Sequence, residues 1–164
     1  GENEAEWWMN LENSLQRLDI ESIDVYNHHG INWERYSNDV EPRISKWMLK
    51  AKDQGLIKHI CTSFHDSCDA LKRLVDTGYV ESITLQYNLL YRELEEGIAY
   101  AHAHDVGVVV MGPVAGGRLA GPSEILAKLV PGVERVPELA LRFVLVAVKV
   151  AVSVKAEVGV KITV

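Results

Sequence analysis

Ile20-Glu-Ser-Ile-Asp-Val-Tyr-Asn-His-His-Gly-Ile-Asn32 is the stretch whose reading decides the fold. A short apolar run, Ile20, Ile23 and Val25, leads to Tyr26, two adjacent histidines and a glycine. β-branched and aromatic residues running up to a glycine mark a strand that delivers side chains to a loop. In a parallel barrel such strand ends are where reactive groups collect. Histidine suits that place because its pKa of roughly 6.5 lets it donate or accept a proton near neutrality. His28 and His29 are neighbours, so on a strand they point to opposite faces and at most one faces a given pocket. The pair names no reaction by itself, since hydrogen-bonded histidines at a loop edge fit the same spacing and are the commoner case.

Outward from this stretch, strands and helices alternate. An amphipathic helix over Ala5–Leu18 (Trp8, Leu11, Leu15, Leu18) precedes a first strand over Asp19–Tyr26. Gly30–Val40 reads as a polar loop carrying Trp33 and Tyr36. Pro42 suits a first helical position, and the helix then runs to about Gln54, stopped by Gly55. Leu56–Ser63 is a second strand, and Asp66 or Ser67 caps a helix through Thr77. Val80–Tyr87 is a third strand and Glu93–His104 a helix. Val106–Met111 is a fourth strand, a valine run of the kind expected when both faces are buried. Gly112–Pro122 is a glycine-rich loop, followed by helical stretches at Glu124–Val130 and Pro137–Leu145. Units of about 25–30 residues in this order predict βαβ units and a parallel sheet. A closed eight-stranded barrel needs about 250 residues, so 164 residues imply an open sheet or part of a barrel.

The end of the chain is different in kind. From Val144 to Val164 almost every even position is valine, while odd positions include Lys149, Ser153, Lys155, Glu157 and Lys161. Period two predicts a half-buried strand there, longer than the usual 3–10 residues, with a possible hairpin at Glu157–Gly159.

Composition bounds the function. With 48% hydrophobic and 24% charged residues the chain can bury a real core, and its length suits one domain over 1–164. A net charge of −6 argues against a nucleic-acid partner, which needs a basic face. No apolar run is long enough for a transmembrane helix, and the acidic N-terminus does not read as a signal peptide. Cys61 and Cys68 lack metal-ligand or disulfide-framework spacing and fit thiols in a reducing, cytoplasmic compartment. His28 or His29 with His65 has no zinc-ligand spacing, so no metal is expected.

Several segments together resemble the aldo-keto reductase family: Leu11-Glu-Asn-Ser-Leu-Gln-Arg-Leu, Ile23-Asp-Val-Tyr-Asn-His-His-Gly, Gly55-Leu-Ile-Lys-His-Ile, Gln86-Tyr-Asn-Leu-Leu, Gly107-Val-Val-Val-Met-Gly-Pro-Val-Ala-Gly-Gly-Arg-Leu and Ala140-Leu-Arg-Phe-Val-Leu. They lie in the family's order from about Ala5 to Leu145, leaving 146–164 unmatched. The resemblance implies a partial (β/α)8 TIM barrel, strands four to seven, with an atypical β tail where the eighth belongs. It implies NADPH-dependent reduction of a small aldehyde or ketone. The family's catalytic tetrad is Asp, Tyr, Lys and His. His29 matches the histidine that orients the carbonyl, and no residue here matches the other three, which lie upstream in the family. Tyr26, within the strand, does not count as the proton donor.

For the cofactor, NADP(H), the resemblance points to Ser63 and Gln86 at the nicotinamide carboxamide. Phe64 stands where the family has Asn, and Met111 stands where it has an aromatic that stacks on nicotinamide. Gly112, Val114 and Gly116 lie in a loop like the one that wraps the pyrophosphate; glycines there let backbone N–H groups approach an anion. The family's adenosine-phosphate segment has no match in the valine-rich tail. The resemblance therefore implies reductase ancestry with incomplete catalysis and weak or no NADPH binding by this chain. The alternative is a non-catalytic half-barrel scaffold, or a module that self-associates through open sheet edges.

Overall fold

The computed structural model describes residues 3–130, 132 and 135–152. The order is α1 (Glu4–Leu18), β1 (Ile23–Ile31), α2 (Trp33–Arg35), a π-helix (Tyr36–Ile44), α3 (Ser45–Asp53), β2 (Ile57–Phe64), α4 (Cys68–Asp76), β3 (Ser82–Gln86), α5 (Glu95–Ala103), β4 (Gly107–Met111), α6 (Glu124–Leu129) and α7 (Val136–Val152). The strands form one parallel sheet in the order β1-β2-β3-β4. Each strand lies beside its successor, as helical crossovers between parallel strands favour.

Local chemistry sets the boundaries. A capping box opens α1: the Asn3 side chain accepts from the Glu6 N–H at 2.9 Å, and the Glu6 carboxylate accepts from the Asn3 N–H at 3.3 Å. Asp19 closes α1 in the left-handed region at φ 54°. The Ile20 N–H still bonds the Leu15 carbonyl at 3.2 Å, so the first strand starts at Ile23 and not at Asp19. It also runs on past Tyr26 to Ile31, because the ladder to β2 continues to the Ile31–Phe64 pair. The histidines therefore lie inside the strand.

The stretch expected as a polar loop is helical. The Asn32 side chain accepts the Arg35 N–H at 2.8 Å and starts α2. Tyr36, Val40, Ile44 and Met48 then recur at steps of four and are all buried. The polar residues between them hide that period. Pro42 lies inside the π-helix, not at a helix start; at its end the Ser45 N–H reaches back five residues to the Val40 carbonyl.

The valine-rich end is corrected too. Val144–Val152 is helix, not strand. A run of even positions contains every i,i+4 pair, so period two does not exclude a helix. Val136, Ala140 and Val144 are buried at steps of four, and the Phe143 ring stacks on Tyr87 at 5.5 Å. The rest of the predicted strand, 153–164, lies outside the described residues.

The helices cover one face of the sheet. Ile60, Phe64, Ile83 and Leu85 join the main core there, and Trp7 of α1 meets Tyr26 edge-on at 6.0 Å. The helix layer is close-packed: a Cβ on Gly97 of α5 would lie 2.5 Å from Leu71 Cδ2 of α4. Among the described residues no element covers the other face. The valine run of β4 is buried on one side only: Val108 and Val110 pack on the core, while Val109 is 53% exposed.

Glu81, just before β3, ties the N-terminal ends of β2 and β3 to α3. Its carboxylate accepts from Lys52 Nζ at 2.5 Å and the Ile60 N–H at 3.0 Å, and lies 3.0 Å from His59 Nδ1. Burial raises its pKa, but the Lys52, His59 and Ile60 contacts outweigh that and hold it at about 2, below the ordinary 4.5. A carboxyl with a depressed folded-state pKa stabilises fully above its unfolded value and loses that contribution as pH falls toward the folded one. The melting midpoint should therefore drop as pH falls from 4.5 to about 2. Glu81→Gln should flatten that part of the curve, and equal acid sensitivity in the two proteins would refute the assignment.

Candidate active site at the open face

Residues paired across a parallel ladder share a face. Asn27 pairs with Cys61, Cys61 with Ser82, and Ser82 with Gly107. Ser63 pairs with Thr84, Thr84 with Val109, and Gln86 with Met111. Val25, half exposed, and Val109 mark these rows as the open face. His29 follows Asn27 by two positions. The structure thus brings His29, Ser63, Gln86 and Met111 to the C-terminal end of one face, on four adjacent strands.

His28 points the other way. A cavity of about 160 Å³ at this strand is lined by Trp7, Tyr26, His28, Arg35 and Met48, and also by Asn27 and His29. Burial, then the charges of Arg35 and His29, push the His28 imidazole down to about 4, so it is neutral at pH 7.

A bulge separates the roles of the two histidines. Between the pairs His28–Thr62 and Ile31–Phe64, β1 places two residues, His29 and Gly30, opposite one, Ser63. In a regular strand Ile31 would share the face of His29. The extra residue lets Ile31 turn into the core, where it is fully buried, while His29 stays exposed. Gly30 adopts φ 73°, a conformation that favours glycine. Its N–H donates to Ser63 Oγ at 2.6 Å. Thr62 Oγ1 donates to the His28 carbonyl at 2.9 Å, and Arg35 Nη1 donates to the carbonyls of His29 at 3.0 Å and Gly30 at 3.1 Å. Sequence reasoning missed Arg35; its one signal is an N-cap asparagine three residues before it.

Ser63 is buried and its oxygen accepts one hydrogen bond, from the Gly30 N–H, which leaves its O–H and one lone pair. Phe64 faces the helices, paired with Ile31 and Leu85, both fully buried. Gln86 is exposed, and a Cβ on Gly112 would lie 3.9 Å from its Cγ. The loop after β4 is fixed by Asn88, a buried residue whose side-chain amide donates to the Gly112 carbonyl at 3.0 Å. Gly112, Ala115, Gly116 and Gly117 all take positive φ. The N–H groups of Ala115, Gly117, Arg118, Leu119 and Ala120 bond carbonyls of the same loop. Those of Gly112, Val114 and Gly116 make no backbone hydrogen bond among the described residues.

Four parallel strands with helices on one side and polar side chains at the C-terminal ends of the other form part of a (β/α)8 barrel. The chain belongs to the aldo/keto reductase family, whose model matches residues 2–131. It is 30% identical over 109 residues to the oxidoreductase YqkF of Bacillus subtilis (strain 168), covering 66% of this chain and 34% of that protein. Aldo-keto reductase AMT2 of Alternaria alternata is 29% identical over 131 residues, 76% of this chain and 34% of its own length. The holo form of aldo-keto reductase AKR11C1 from Bacillus halodurans superposes with a TM-score of 0.73 at 26% identity, covering 97% of this chain and 61% of that one. The chain thus spans about a third of the length of these curated relatives. No helix of the described residues is long and apolar enough to cross a membrane.

Proposed function

We propose that this chain carries the C-terminal strands of an NADP(H)-dependent carbonyl reductase and is catalytically incomplete as a 164-residue chain. The observation that carries the reading is the convergence of His29, Ser63, Gln86 and Met111 on one face, at the ends of four neighbouring strands. The exposed Gln86 amide makes no hydrogen bond among the described residues, so both its oxygen and its N–H2 are available to a carboxamide. The N–H groups of Gly112, Val114 and Gly116 suit an anion beside it. NADPH, when bound, supplies a hydride. His29 donates an N–H to the carbonyl oxygen and fixes its orientation, Ser63 and Gln86 hold the carboxamide, and Met111 gives the nicotinamide an apolar wall. The proton donor and the groups that tune it have no match within the chain.

Millimolar NADPH, followed by amide NMR, tests the site. Shifts should concentrate at Gln86, Gly112, Val114, Gly116 and His29. Shifts scattered over α4 and α5, or none, would sink the assignment.

A second reading, a non-catalytic half-barrel that self-associates, draws on the sheet itself. Among the described residues β1 and β4 each have one neighbour, and Val25 and Val109 are half exposed on the open face. Light scattering should then give at least twice the monomer mass of 18.3 kDa; a monomer at all concentrations would eliminate this reading.

A further inference from the structure

Two neighbouring histidines lie on β1, and something must settle which of them faces the open side. We infer that Arg35 is a positioning residue for His29: its guanidinium fixes the bulge that keeps His29 on the open face. The inference rests on the reading of His29 as the group that orients a carbonyl.

The geometry is selective. Consecutive carbonyls of a regular strand point in opposite directions. Here those of His29 and Gly30 both accept from the same nitrogen, Arg35 Nη1, at 3.0 and 3.1 Å. Only the bulged backbone offers both to one donor, so the guanidinium binds that conformation and not the regular one. The competing register is easily drawn. With Ile31 kept in the core and no bulge, the alternation of side chains would carry His29 to the helix side and His28 to the open side. Gly30, at φ 73°, allows the bulge, and the Ser63 hydroxyl holds the Gly30 N–H from the neighbouring strand. Arg35 is placed for the task by the Asn32 cap, six residues after His29 in the chain. A charged donor shared between two carbonyls is also the kind of hydrogen bond that contributes most.

The test uses the 164-residue chain without any ligand, so it stands whether or not NADPH binds. Arg35→Gln should speed amide exchange at Gly30 by about ten-fold or more, the effect of losing hydrogen bonds to a charged donor. The His29 ring should no longer stay on the open face and should gain Overhauser contacts to side chains on the helix side. The amides of Ile83 and Leu85, at the sheet centre, should keep their protection. Arg35→Lys retains the charge without the planar fork and should fall between the two. A folded Arg35→Gln protein with unchanged Gly30 exchange and an unchanged His29 ring would overturn the inference. Equal loss of protection at Ile83 and Leu85 in both variants would overturn it as well, by showing that Arg35 supports the whole fold. Failure of His29 to respond to NADPH in the amide map would instead strike the functional reading and leave this result in place.

Discussion

Phe64→Asn, the residue that the family resemblance implies at this position, should cost the chain about 3–5 kcal/mol of stability, as truncating a buried phenylalanine does. It should gain nothing in cofactor affinity. Phe64 is 1% exposed and pairs on either side with Ile31 and Leu85, both at 0%. Its side chain belongs to the helix face, whereas Ser63 before it belongs to the open face. An asparagine there would leave a cavity and bury an amide, and an unsatisfied buried polar group adds a further cost of about 1–3 kcal/mol. Against a total stability of about 5–15 kcal/mol this is a large fraction. For a chain of this size each kcal/mol lowers the melting midpoint by roughly 2–4 °C. A thermal melt checks the first claim and an NADPH titration the second. An unchanged midpoint, or a gain in NADPH affinity, would show that Phe64 lies at the site and that its replacement of asparagine is a loss of function and not a core adaptation.

The four strands are legible in the sequence because each is a short β-branched run set between glycines and caps. Gly55, Gly78 and Gly112 flank them, and Ser67 announces α4. What escapes is whatever depends on register. Gly30 reads as the end of a strand, yet it sits at a bulge inside one, because β1 is kept in the ladder by the pairing of Ile31 with Phe64, distant in sequence. The helical turns over 33–44 hide behind charged neighbours of Trp33, Tyr36 and Val40. The valine-rich end misleads for a geometric reason: every second member of an alternating run falls on one helix face, so Val136, Ala140 and Val144 are buried while Val146 is exposed. The candidate site shows the same division. The sequence places His29, Ser63, Gln86 and Met111 at strand ends, but the choice between His28 and His29 comes from the resemblance and not from alternation. Alternation alone would put Ile31 on the face of His29, and the structure buries it on the opposite side. Asn88 and Arg35, which hold the backbone around the site, carry no motif; each acts through carbonyls that sequence does not display.

NADPH should bind this chain weakly, with an affinity shifted from the micromolar toward the millimolar range. Gln86 and the N–H groups of Gly112, Val114 and Gly116, which make no backbone hydrogen bond among the described residues, remain for it. The family resemblance implies two contacts that this sequence does not match: Met111 stands where an aromatic would stack on nicotinamide, and the valine-rich tail has no match for the basic segment that would hold the adenosine phosphate. Losing a charge-assisted phosphate contact costs roughly 1.5–3 kcal/mol. Losing an aromatic stack costs about 0.5–1.5 kcal/mol. Together these make about 2–4.5 kcal/mol, or roughly 30- to 2,000-fold at 1.4 kcal/mol per tenfold, which carries a micromolar affinity toward millimolar. Five of the loop's N–H groups are also spent on its own carbonyls, those of Ala115, Gly117, Arg118, Leu119 and Ala120, so the loop cannot make up the deficit without unfolding its turn. The four tryptophans report the binding. Among them, the Trp33 backbone N–H bonds the Asp66 carboxylate at 2.9 Å and its ring lies under the Arg73 guanidinium at 3.9 Å, which links α2 to the loop after β2 and to α4. Fluorescence should fall without saturating at micromolar NADPH, the range from which the affinity arithmetic removes it. Saturable quenching at micromolar cofactor would mean that Gln86 and three loop amides suffice to hold the dinucleotide, and carbonyl reduction by the chain itself would then be the assay to run.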